Sequence, residues 1–268
     1  MSAREQPIAG SNGPRPNSSK GVPESGVRTV EVTNTPHDFA GLVTQLAKTA
    51  GWDISRLLFR GHPREEYQLL PGLYRRPWAS MEADIYKEVR QRIPYAENRP
   101  QESSWEFLSR MQHHGIPTRL LDWTDSFAVA LFFALRARHE TPCVWVLDPI
   151  GLNREATGKA KLYDLPCPEL PEYRSAFVDS HLWSHPLPIT VRSSWSHDRI
   201  RSQRGYFTVH GNRNDALEKS CPAHVARIVI RPGGVTAAEN FLKIAGVDEA
   251  AIFPDFDGVA RWISWKYG

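Results

Sequence analysis

Apolar residues recur with two different periods along the chain, and the two kinds of segment are unevenly distributed. A spacing of three and four residues, typical of one helix face, predicts helices over 35–51, 80–93, 103–115, 124–139, 236–246 and 255–266. Alternating or short continuous apolar runs predict strands over 28–34, 56–61, 143–148, 188–193, 205–211 and 223–232. The proline-rich segment 149–188 gives few regular signals, and we interpret 115–123 as a loop and an extended piece.

The distribution of these elements predicts the fold class. Helices dominate the first half and strands the second, without the strict alternation of a doubly wound sheet. We therefore expect an α+β fold, with helices of the N-terminal half packed on a mixed, mainly antiparallel sheet. Two helix starts carry capping signals, which are Thr35 followed by Pro36 and a Thr236/Glu239 capping box.

Residues 1–28 differ in composition from the rest of the chain. They are rich in Ser, Pro, Gly and Asn and contain almost no large apolar side chains, so they cannot bury enough surface to offset the entropy of ordering. We expect a disordered tail over 1–28 and a single globular domain over 29–268. The amino terminus also lacks the apolar core of a secretory signal.

The overall composition is that of an ordinary soluble globular protein, with 41% hydrophobic and 24% charged residues. A net charge of +3 permits a nucleic-acid partner without arguing for one, because dedicated nucleic-acid binders concentrate their basic residues in a stripe. The cysteines Cys143, Cys167 and Cys221 form no C-x-x-C pair, which disfavours a disulfide framework and a structural zinc site. The longest apolar run, 127–135, is shorter than the ~20 residues that span a bilayer. These features predict a cytoplasmic protein without membrane association.

An arginine stands at the end of the predicted strand 56–61, in the sequence LLFRGH. Arg60 could form an ion pair with a nearby carboxylate such as Glu65 or Glu66. Alternatively, its guanidinium could bind a phosphate or carboxylate through two hydrogen bonds, with Gly61 letting the ligand approach the backbone.

A second segment, 112–126, places many polar side chains directly before an apolar helix. Its candidates are Gln112, His113, His114, Thr118, Arg119, Asp122, Trp123 and Thr124. These groups could form a network that docks the loop, with Arg119 bridged to Asp122, or one histidine could act as a general base. Adjacent histidines point in different directions, so a metal site is disfavoured.

Two further segments carry candidate side chains. In 201–212, Gln203 and Arg204 precede a glycine that begins a predicted strand, and His210 lies at the end of that strand. The Gln203 side chain could form a hydrogen bond with a sugar hydroxyl or cap backbone groups of the loop. In 246–258, four carboxylates could suggest a magnesium site, but we favour a structural role at helix starts for this group. They are Asp248, Glu249, Asp255 and Asp257.

Together these segments resemble the landmarks of one known family. LLFRGH (57–62), MQHHGIPTRLLDWTDSFAVALFFAL (111–135), SQRGYFTVHGN (202–212) and GVDEAAIFPDFDGVARWI (246–263) occur in the order expected for the FRG domain, which is named after its Phe-Arg-Gly triplet. The resemblance runs from about residue 35 to 265, and its second segment is the most specific. It implies a setting among bacterial proteins of toxin and phage-defence type.

A more distant resemblance concerns ADP-ribosyltransferases that carry a Tyr-Arg-Gly-like triplet at the end of an early strand. It implies an ADP-ribosyltransferase-like fold in which Arg60 holds the pyrophosphate or ribose of NAD, and Thr118 or Thr124 lines the nicotinamide pocket. Gln203 stands where those enzymes have a glutamate. A glutamine can orient the ribose but cannot supply the negative charge that stabilises its cation.

The same resemblance implies roles for the remaining candidates. His113, His114 or Asp122 would act as the base, Arg119 and Arg204 would add positive charge at the pyrophosphate, and Trp123 or Tyr206 would stack on the nicotinamide ring. We therefore expect an NAD-using ADP-ribosyltransferase-like enzyme, without a metal, that acts as a toxin or defence effector. Its acceptor would be a protein or a nucleic acid, and an inhibitory partner protein would fit this class.

Two other functions stay open at the level of sequence. The first is a non-catalytic module that binds nucleic acid or a nucleotide through its many arginines, interleaved with Tyr and Trp. These arginines are Arg56, Arg60, Arg64, Arg75, Arg76, Arg119, Arg201 and Arg204. The second is a metal-free nuclease that uses His113, His114 and His210.

Overall fold

The sheet at the centre of the molecule has eight strands, and the computed structural model describes residues 26–33, 38–93, 101–193 and 204–268. The strands are β1 (Arg28–Val32), β2 (Leu58–His62), β3 (Leu120–Thr124), β4 (Cys143–Leu147), β5 (Tyr163–Leu165), β6 (Ile189–Ser193), β7 (Gly205–Val209) and β8 (Val225–Ile230). Their order across the sheet is β1-β8-β4-β2-β3-β7-β6-β5.

Strand pairing makes the sheet mixed and mainly antiparallel. β1 pairs with β8 and β5 with β6 in parallel, and every other neighbouring pair is antiparallel. The predicted α+β class and the predicted sheet type are therefore confirmed. One pairing is unusual: β2 and β3 share only the register pair Phe59–Thr124, whereas β2 and β4 pair from Leu58 to His62. The ladder between β2 and β3 thus stops directly before Arg60.

Helices cover parts of both faces of this sheet. They are α1 (Phe39–Ala50), α2 (Glu82–Arg92), α3 (Ser104–His113), α4 (Phe127–Leu135), α5 (Pro149–Thr157), α6 (Leu217–Ser220), α7 (Val235–Ile244), α8 (Glu249–Ile252) and α9 (Phe256–Tyr267). Short 3₁₀ turns occur at Ile54–Arg56, Ala79–Met81, Pro222–His224 and Pro232–Gly234, and Arg174–Asp179 forms a π-helical turn. No helix in the described ranges is long and apolar enough to cross a bilayer.

Alternating side chains place the core on both faces of the sheet, as the period of two in a strand requires. On one face, Phe59 and Val144 pack with residues of α1, α4 and α7. Further along that face, Leu120 and Phe207 join a cluster with α2, α3 and the π-helical turn. On the other face, residues such as Leu58 form a third cluster. α4 is therefore central, as its apolar composition predicts.

Two elements differ from the sequence expectation. Residues 120–124, which we interpreted as part of a loop and extended piece, form the central strand β3. Residues 149–157, which gave few regular signals, form α5. Asp148 caps that helix by accepting from the Gly151 amide at 3.1 Å, and Gly158 ends it with φ of 76°. Strands also occur in both halves of the chain, so the predicted separation of helices and strands is wrong.

The predicted caps are also corrected. α7 begins at Val235 with Gly234 at its N-cap and no side-chain capping bond, so the Thr236/Glu239 capping box does not form. α1 is capped by Asp38, which accepts from the Gly41 amide at 2.9 Å. Thr35, Pro36 and the predicted tail up to residue 25 lie outside the described residues, and the division into tail and domain stays a prediction.

Candidate functional site

A cleft of about 470 Å³ opens where the ladder between β2 and β3 stops. Its volume lies within the range of ordinary ligand pockets. α3 and α4 form its walls, and the strands β2, β3 and β7 form its floor. Its polar lining consists of Arg60, Ser109, Gln112, His113, Asp122, Thr124 and Arg136. Its aromatic lining includes Phe133, Phe207 and Phe253.

Arg60 is fixed in this cleft by hydrogen bonds from two of its three guanidinium nitrogens. Nε donates to Nε2 of His62 at 3.0 Å, and Nη1 donates to the backbone oxygen of Asp122 at 2.7 Å. The Asp122 carboxylate lies 3.5 Å from Nη1. Within the described residues, Nη2 has no hydrogen-bond partner. The side chain is only 16% exposed, so the cleft contains a largely buried cation with one donor nitrogen left over.

His62 positions Arg60 from two residues further along β2. An arginine Nε only donates, so Nε2 of His62 is the acceptor and the imidazole proton is on Nδ1. Nδ1 can then donate to the backbone oxygen of Tyr67, which lies 3.2 Å away. Burial, and next the charge of Arg60, lower the pKa of His62 to about 3. His62 is therefore neutral at physiological pH, which is the state that the hydrogen bond from Arg60 requires.

A second chain of hydrogen bonds holds Asp122. The Thr118 hydroxyl accepts from the Leu120 amide at 3.1 Å and donates to Oε1 of Gln112 at 2.6 Å. The Gln112 amide nitrogen therefore faces the carboxylate, donating to Oδ2 of Asp122 at 3.0 Å. Arg60 and Gln112 both act on Oδ2, and Oδ1 has no hydrogen-bond partner in the described part of the chain. The cleft thus holds a positioned carboxylate beside a positioned guanidinium.

Gly61 has a packing role that the sequence reasoning did not foresee. A Cβ at this position would lie 1.9 Å from the backbone oxygen of Ala130 and 2.6 Å from the amide of Ala134. α4 therefore crosses β2 so closely that only glycine fits. This contact gives a packing reason for the glycine of the Phe-Arg-Gly triplet. Gly61 also lines the cleft, and the approach of a ligand to its backbone stays a prediction.

Arg119 does not reach the cleft, and the predicted bridge to Asp122 is wrong. Its guanidinium forms a buried two-pronged pair with Glu82, in which Nε lies 2.7 Å from Oε1 and Nη2 bonds Oε2. Nη1 donates to the backbone oxygen of His210 at 2.6 Å, and the Tyr173 hydroxyl donates to Glu82 at 2.8 Å. Arg119 therefore ties α2 to the ends of β3 and β7 and is not available to a ligand.

Trp123 and Tyr206 border the cleft, but their rings do not offer a stacking face. Both belong to the core cluster on the far side of the sheet, and Trp123 is 2% exposed. The Trp123 indole nitrogen donates to the Thr208 hydroxyl at 3.2 Å. The aromatic surface inside the cleft is instead supplied by Phe133, Phe207 and Phe253.

The structure brings only some of the other predicted site residues together. His113 and Thr124 line the cleft, and the Thr124 hydroxyl accepts from the Ser126 amide at 3.1 Å. Thr118 is buried behind Gln112, and His114 is exposed at the end of α3, outside the cleft.

The remaining candidates lie outside the cleft or outside the described residues, or they pair with other residues. Arg204 pairs with Asp125 at 2.6 Å and is not part of the cleft lining. Gln203 lies outside the described residues. Glu65, one of the two carboxylates considered for Arg60, pairs with Arg231 at 2.6 Å instead. The ion-pair partner of Arg60 is Asp122.

The carboxylates of 246–258 start helices, as we expected. Asp248 accepts from the Ala251 amide at 2.9 Å, and Asp255 accepts from the Gly258 amide at 2.7 Å. Glu249 forms ion pairs with two arginines, Arg136 and Arg261. The described residues contain no group of three His, Cys, Asp or Glu side chains that could hold a metal ion.

Sequence reasoning missed three features of the cleft. Ser109 lines it, is 3% exposed and has a hydroxyl without a partner among the described residues. It stands three and four residues before Gln112 and His113, so the helical period could have shown that the three share one face. Phe133 lies on α4, whose continuous apolar sequence hides which side chains face a cleft. Phe253 reaches the cleft from the carboxyl-terminal part of the chain, which only the fold reveals.

Comparison with protein families finds one match: residues 55–142 match the FRG domain. The matched span contains β2, α2, α3, β3 and α4, and therefore Arg60, Gln112, His113 and Asp122. It covers less than half of the chain, and the two later segments of the predicted resemblance lie outside it. No curated protein and no solved structure matches the chain.

Proposed function

We propose that this chain, which carries an FRG domain over residues 55–142, binds NAD in the cleft and transfers its ADP-ribose to an acceptor. The proposal includes an ADP-ribosyltransferase-like arrangement of the site and a role as a toxin or defence effector, with a protein or nucleic acid as acceptor. An inhibitory partner protein would suit such an effector.

The observation that carries the proposal is the state of Arg60. A guanidinium that is 16% exposed and fixed through Nε and Nη1 lines a cleft of about 470 Å³, and its Nη2 has no partner among the described residues. Desolvated guanidinium groups bind phosphate oxygens with charge-assisted hydrogen bonds and lose little entropy when they are already fixed. A pyrophosphate supplies such oxygens, and the Phe133 and Phe253 rings supply apolar surface for a base or nicotinamide ring.

Asp122 is the group that we assign to the chemical step. In the transfer, the bond from the ribose C1′ to the nicotinamide nitrogen breaks, neutral nicotinamide leaves, and positive charge develops on the ribose. A carboxylate held nearby stabilises this charge. Arg60 and Gln112 both contact Oδ2 of Asp122, so Oδ1, which has no hydrogen-bond partner in the described residues, is the oxygen that we assign to the ribose. The acceptor then bonds C1′ and gives its proton to His113, which lines the same cleft.

This assignment supplies the negative charge that Gln203 lacks. In the resemblance to ADP-ribosyltransferases, Gln203 stands at the position of the catalytic glutamate, and its amide carries no charge. Asp122 comes from a different strand and supplies the negative charge that an amide lacks. Gln203 keeps its proposed role of orienting the ribose.

The competing binding module is less well supported by the surface. Of its proposed arginines, Arg119 is buried with Glu82, Arg204 pairs with Asp125, and Arg56 pairs with Asp53. A nucleic-acid interface needs such side chains to be free to neutralise phosphates. The nuclease is also less well supported, because burial lowers the pKa of His210 to about 3 and His210 is 1% exposed.

The test compares Arg60→Gln with Arg64→Gln, whose side chain is exposed and outside the cleft. NAD binding is measured by calorimetry, and nicotinamide release and label transfer are measured with a bacterial lysate as acceptor source. Loss of one or two charge-assisted hydrogen bonds should weaken NAD binding by about 10- to 100-fold in Arg60→Gln, and Arg64→Gln should bind like the wild type.

Asp122→Asn separates binding from chemistry. We expect NAD affinity within a few-fold of wild type and nicotinamide release reduced by about 10²-fold or more, because the transition-state charge loses its counterion. Equal NAD binding by Arg60→Gln and the wild type would refute the proposal. Binding of RNA or DNA with steep salt dependence and no nicotinamide release would favour the binding module instead.

A further inference from the structure

The C-terminal helix α9 exposes an apolar stripe along one side. Phe256 is 94% exposed, Val259 and Ile263 are each 44% exposed, and Tyr267 is 74% exposed. Their spacing of three, four and four residues puts all of them on one helix face. The main contact of α9 in the described chain is with α8. Most helices in soluble proteins bury such a face, so this one has the pattern of a docking surface.

Charge is distributed unevenly along the same helix. Asp255 and Asp257 stand at its start, and Lys266 stands in its last turn. The one basic side chain in the middle, Arg261, is engaged with Glu249 at 2.6 Å. Apart from Arg261, the charges of α9 therefore run from negative at the amino end to positive at the carboxyl end, a distribution complementary to itself when the helix is reversed.

We propose that the α9 stripe binds the same stripe of a second copy of this chain, with the two helices antiparallel. In one register, Val259 lies opposite the partner's Ile263 and Phe256 lies opposite the partner's Tyr267. The same register places Lys266 beside the acidic first turn of the other helix, and the helix dipoles are also aligned favourably. A parallel pair would instead bring the acidic first turns together and leave both lysines side by side.

Such a contact is two-fold symmetric, because the same residues act on both sides. A 12-residue helix is about 18 Å long, so the helix pair alone buries less area than a standard stable interface. We therefore expect a dimer that dissociates in the micromolar range. Phe253, three residues before α9, lines the cleft, so dimerisation would place the partner beside the cleft mouth. The dimer does not depend on the function proposed for that cleft.

The first experiment follows the oligomeric state by sedimentation velocity from low to high micromolar concentration. The wild type should shift from monomer to dimer as concentration rises. Ile263→Glu should stay monomeric, because it places a charge in the centre of the stripe. Ile244→Glu is the matched control: Ile244 is 88% exposed but belongs to α7, so this variant should dimerise like the wild type. A monomeric wild type, or dimers of equal strength in both variants, would overturn the proposal.

The second experiment tests the antiparallel direction with single engineered cysteines. Ala260 is exposed and lies near the centre of the proposed register, so Ala260→Cys should form an intermolecular disulfide on mild oxidation. Tyr267→Cys should not, because the two copies of residue 267 would be about 18 Å apart along the helix axes, far beyond disulfide reach. Cross-linking at both positions would indicate a parallel pair, and cross-linking at neither would remove α9 from the interface. Either outcome contradicts the inference.

Discussion

Two buried neutral histidines should make the protein unusually sensitive to mild acid. His62 and His210 are 5% and 1% exposed, and burial lowers the pKa of each to about 3. Nearby arginines act in the same direction: Arg60 and Arg75 on His62, and Arg119 and Arg60 on His210. In the unfolded chain both imidazoles take up a proton near pH 6.5, whereas in the folded chain neither does until the pH is far lower.

The sign and size of the effect follow from this difference. Below about pH 6.5 the unfolded state binds more protons than the native state, so the free energy of unfolding falls as the pH falls. Each histidine contributes about 1.4 kcal/mol per pH unit, independently of its exact native pKa as long as that value stays well below the pH. Between pH 7 and pH 5, the two together should remove about 4 kcal/mol, a large part of the stability of an ordinary domain.

One histidine works in the opposite direction. The Asp148 carboxylate, 3.9 Å from Nδ1 of His224, and the Glu155 carboxylate, which accepts from Nε2 at 2.6 Å, raise the pKa of His224. It contributes stability that is complete below pH 6.5 and is lost as the pH rises through its native pKa. Its contribution is present throughout the acid range, so it does not offset the fall caused by His62 and His210 below pH 6.5.

The assay is urea unfolding at pH 7, 6 and 5 for the wild type, His62→Gln and the exposed control His114→Gln. Each variant is compared with the wild type at the same pH. The destabilisation caused by His62→Gln should shrink by about 2 kcal/mol between pH 7 and pH 5, because only the wild type loses stability from this imidazole. The difference for His114→Gln should not depend on pH in this way. A pH-independent difference for His62→Gln would refute the neutral, buried state of His62.

Two further variants test packing and charge in the same fold. Gly61→Ala should destabilise the protein by about 1–3 kcal/mol or more in thermal unfolding, because its Cβ would lie 1.9 Å from the backbone oxygen of Ala130. The control Gly72→Ala should change stability little, because its Cβ would have its nearest contact at 3.5 Å. Arg119→Met should lower the free energy of unfolding in urea by about 3–5 kcal/mol, because Glu82 stays buried without its partner. Adding Glu82→Leu should recover most of that loss. Additive losses in the double variant would contradict this account.

The sequence predicted the elements whose hydrophobic pattern faces one side. The helices around 39–50, 82–92 and 104–113 and the strand 143–147 are found within a few residues of their expected limits. The strand β3 was harder to predict because both of its faces are buried: Leu120 packs in one core cluster and Leu121 in another. A strand buried on both sides has no period of two, and its short apolar run resembles an extended loop.

α5 was missed for the opposite reason. It has few apolar residues, and its buried side includes Asn153, which is 0% exposed. The Asn153 amide donates to the backbone oxygens of Lys161 and Thr190, and its oxygen accepts from the Thr190 amide. This helix is held by hydrogen bonds more than by an apolar stripe, so periodicity did not find it. Its cap Asp148 was visible in the sequence and could have been given more weight.

The partners of charged residues could not be read from the sequence, because the nearest charge along the chain is often not the nearest in space. Asp122 follows Arg119 by three residues, yet Arg119 pairs with Glu82, 37 residues earlier in the chain. Asp122 is thereby left to Arg60, 62 residues away. These pairings determine the site. A bridge between Arg119 and Asp122 would remove the carboxylate from the cleft and leave Arg60 without its ion-pair partner.

In the fold, each residue of the Phe-Arg-Gly-His sequence has its own structural role. Phe59 packs into the core, Gly61 admits α4, and His62 accepts from Arg60 in its neutral form. Of the two alternatives raised by the sequence, the ion pair is observed, with Asp122 as the partner, and ligand binding stays a proposal for an arginine that lines the cleft. Nη2 of Arg60 has no partner among the described residues, yet it is not among the buried polar atoms without a partner, so it reaches the accessible surface. An accessible donor on a guanidinium that is otherwise fixed is what a phosphate or carboxylate ligand needs, and for this reason we propose that Arg60 binds one.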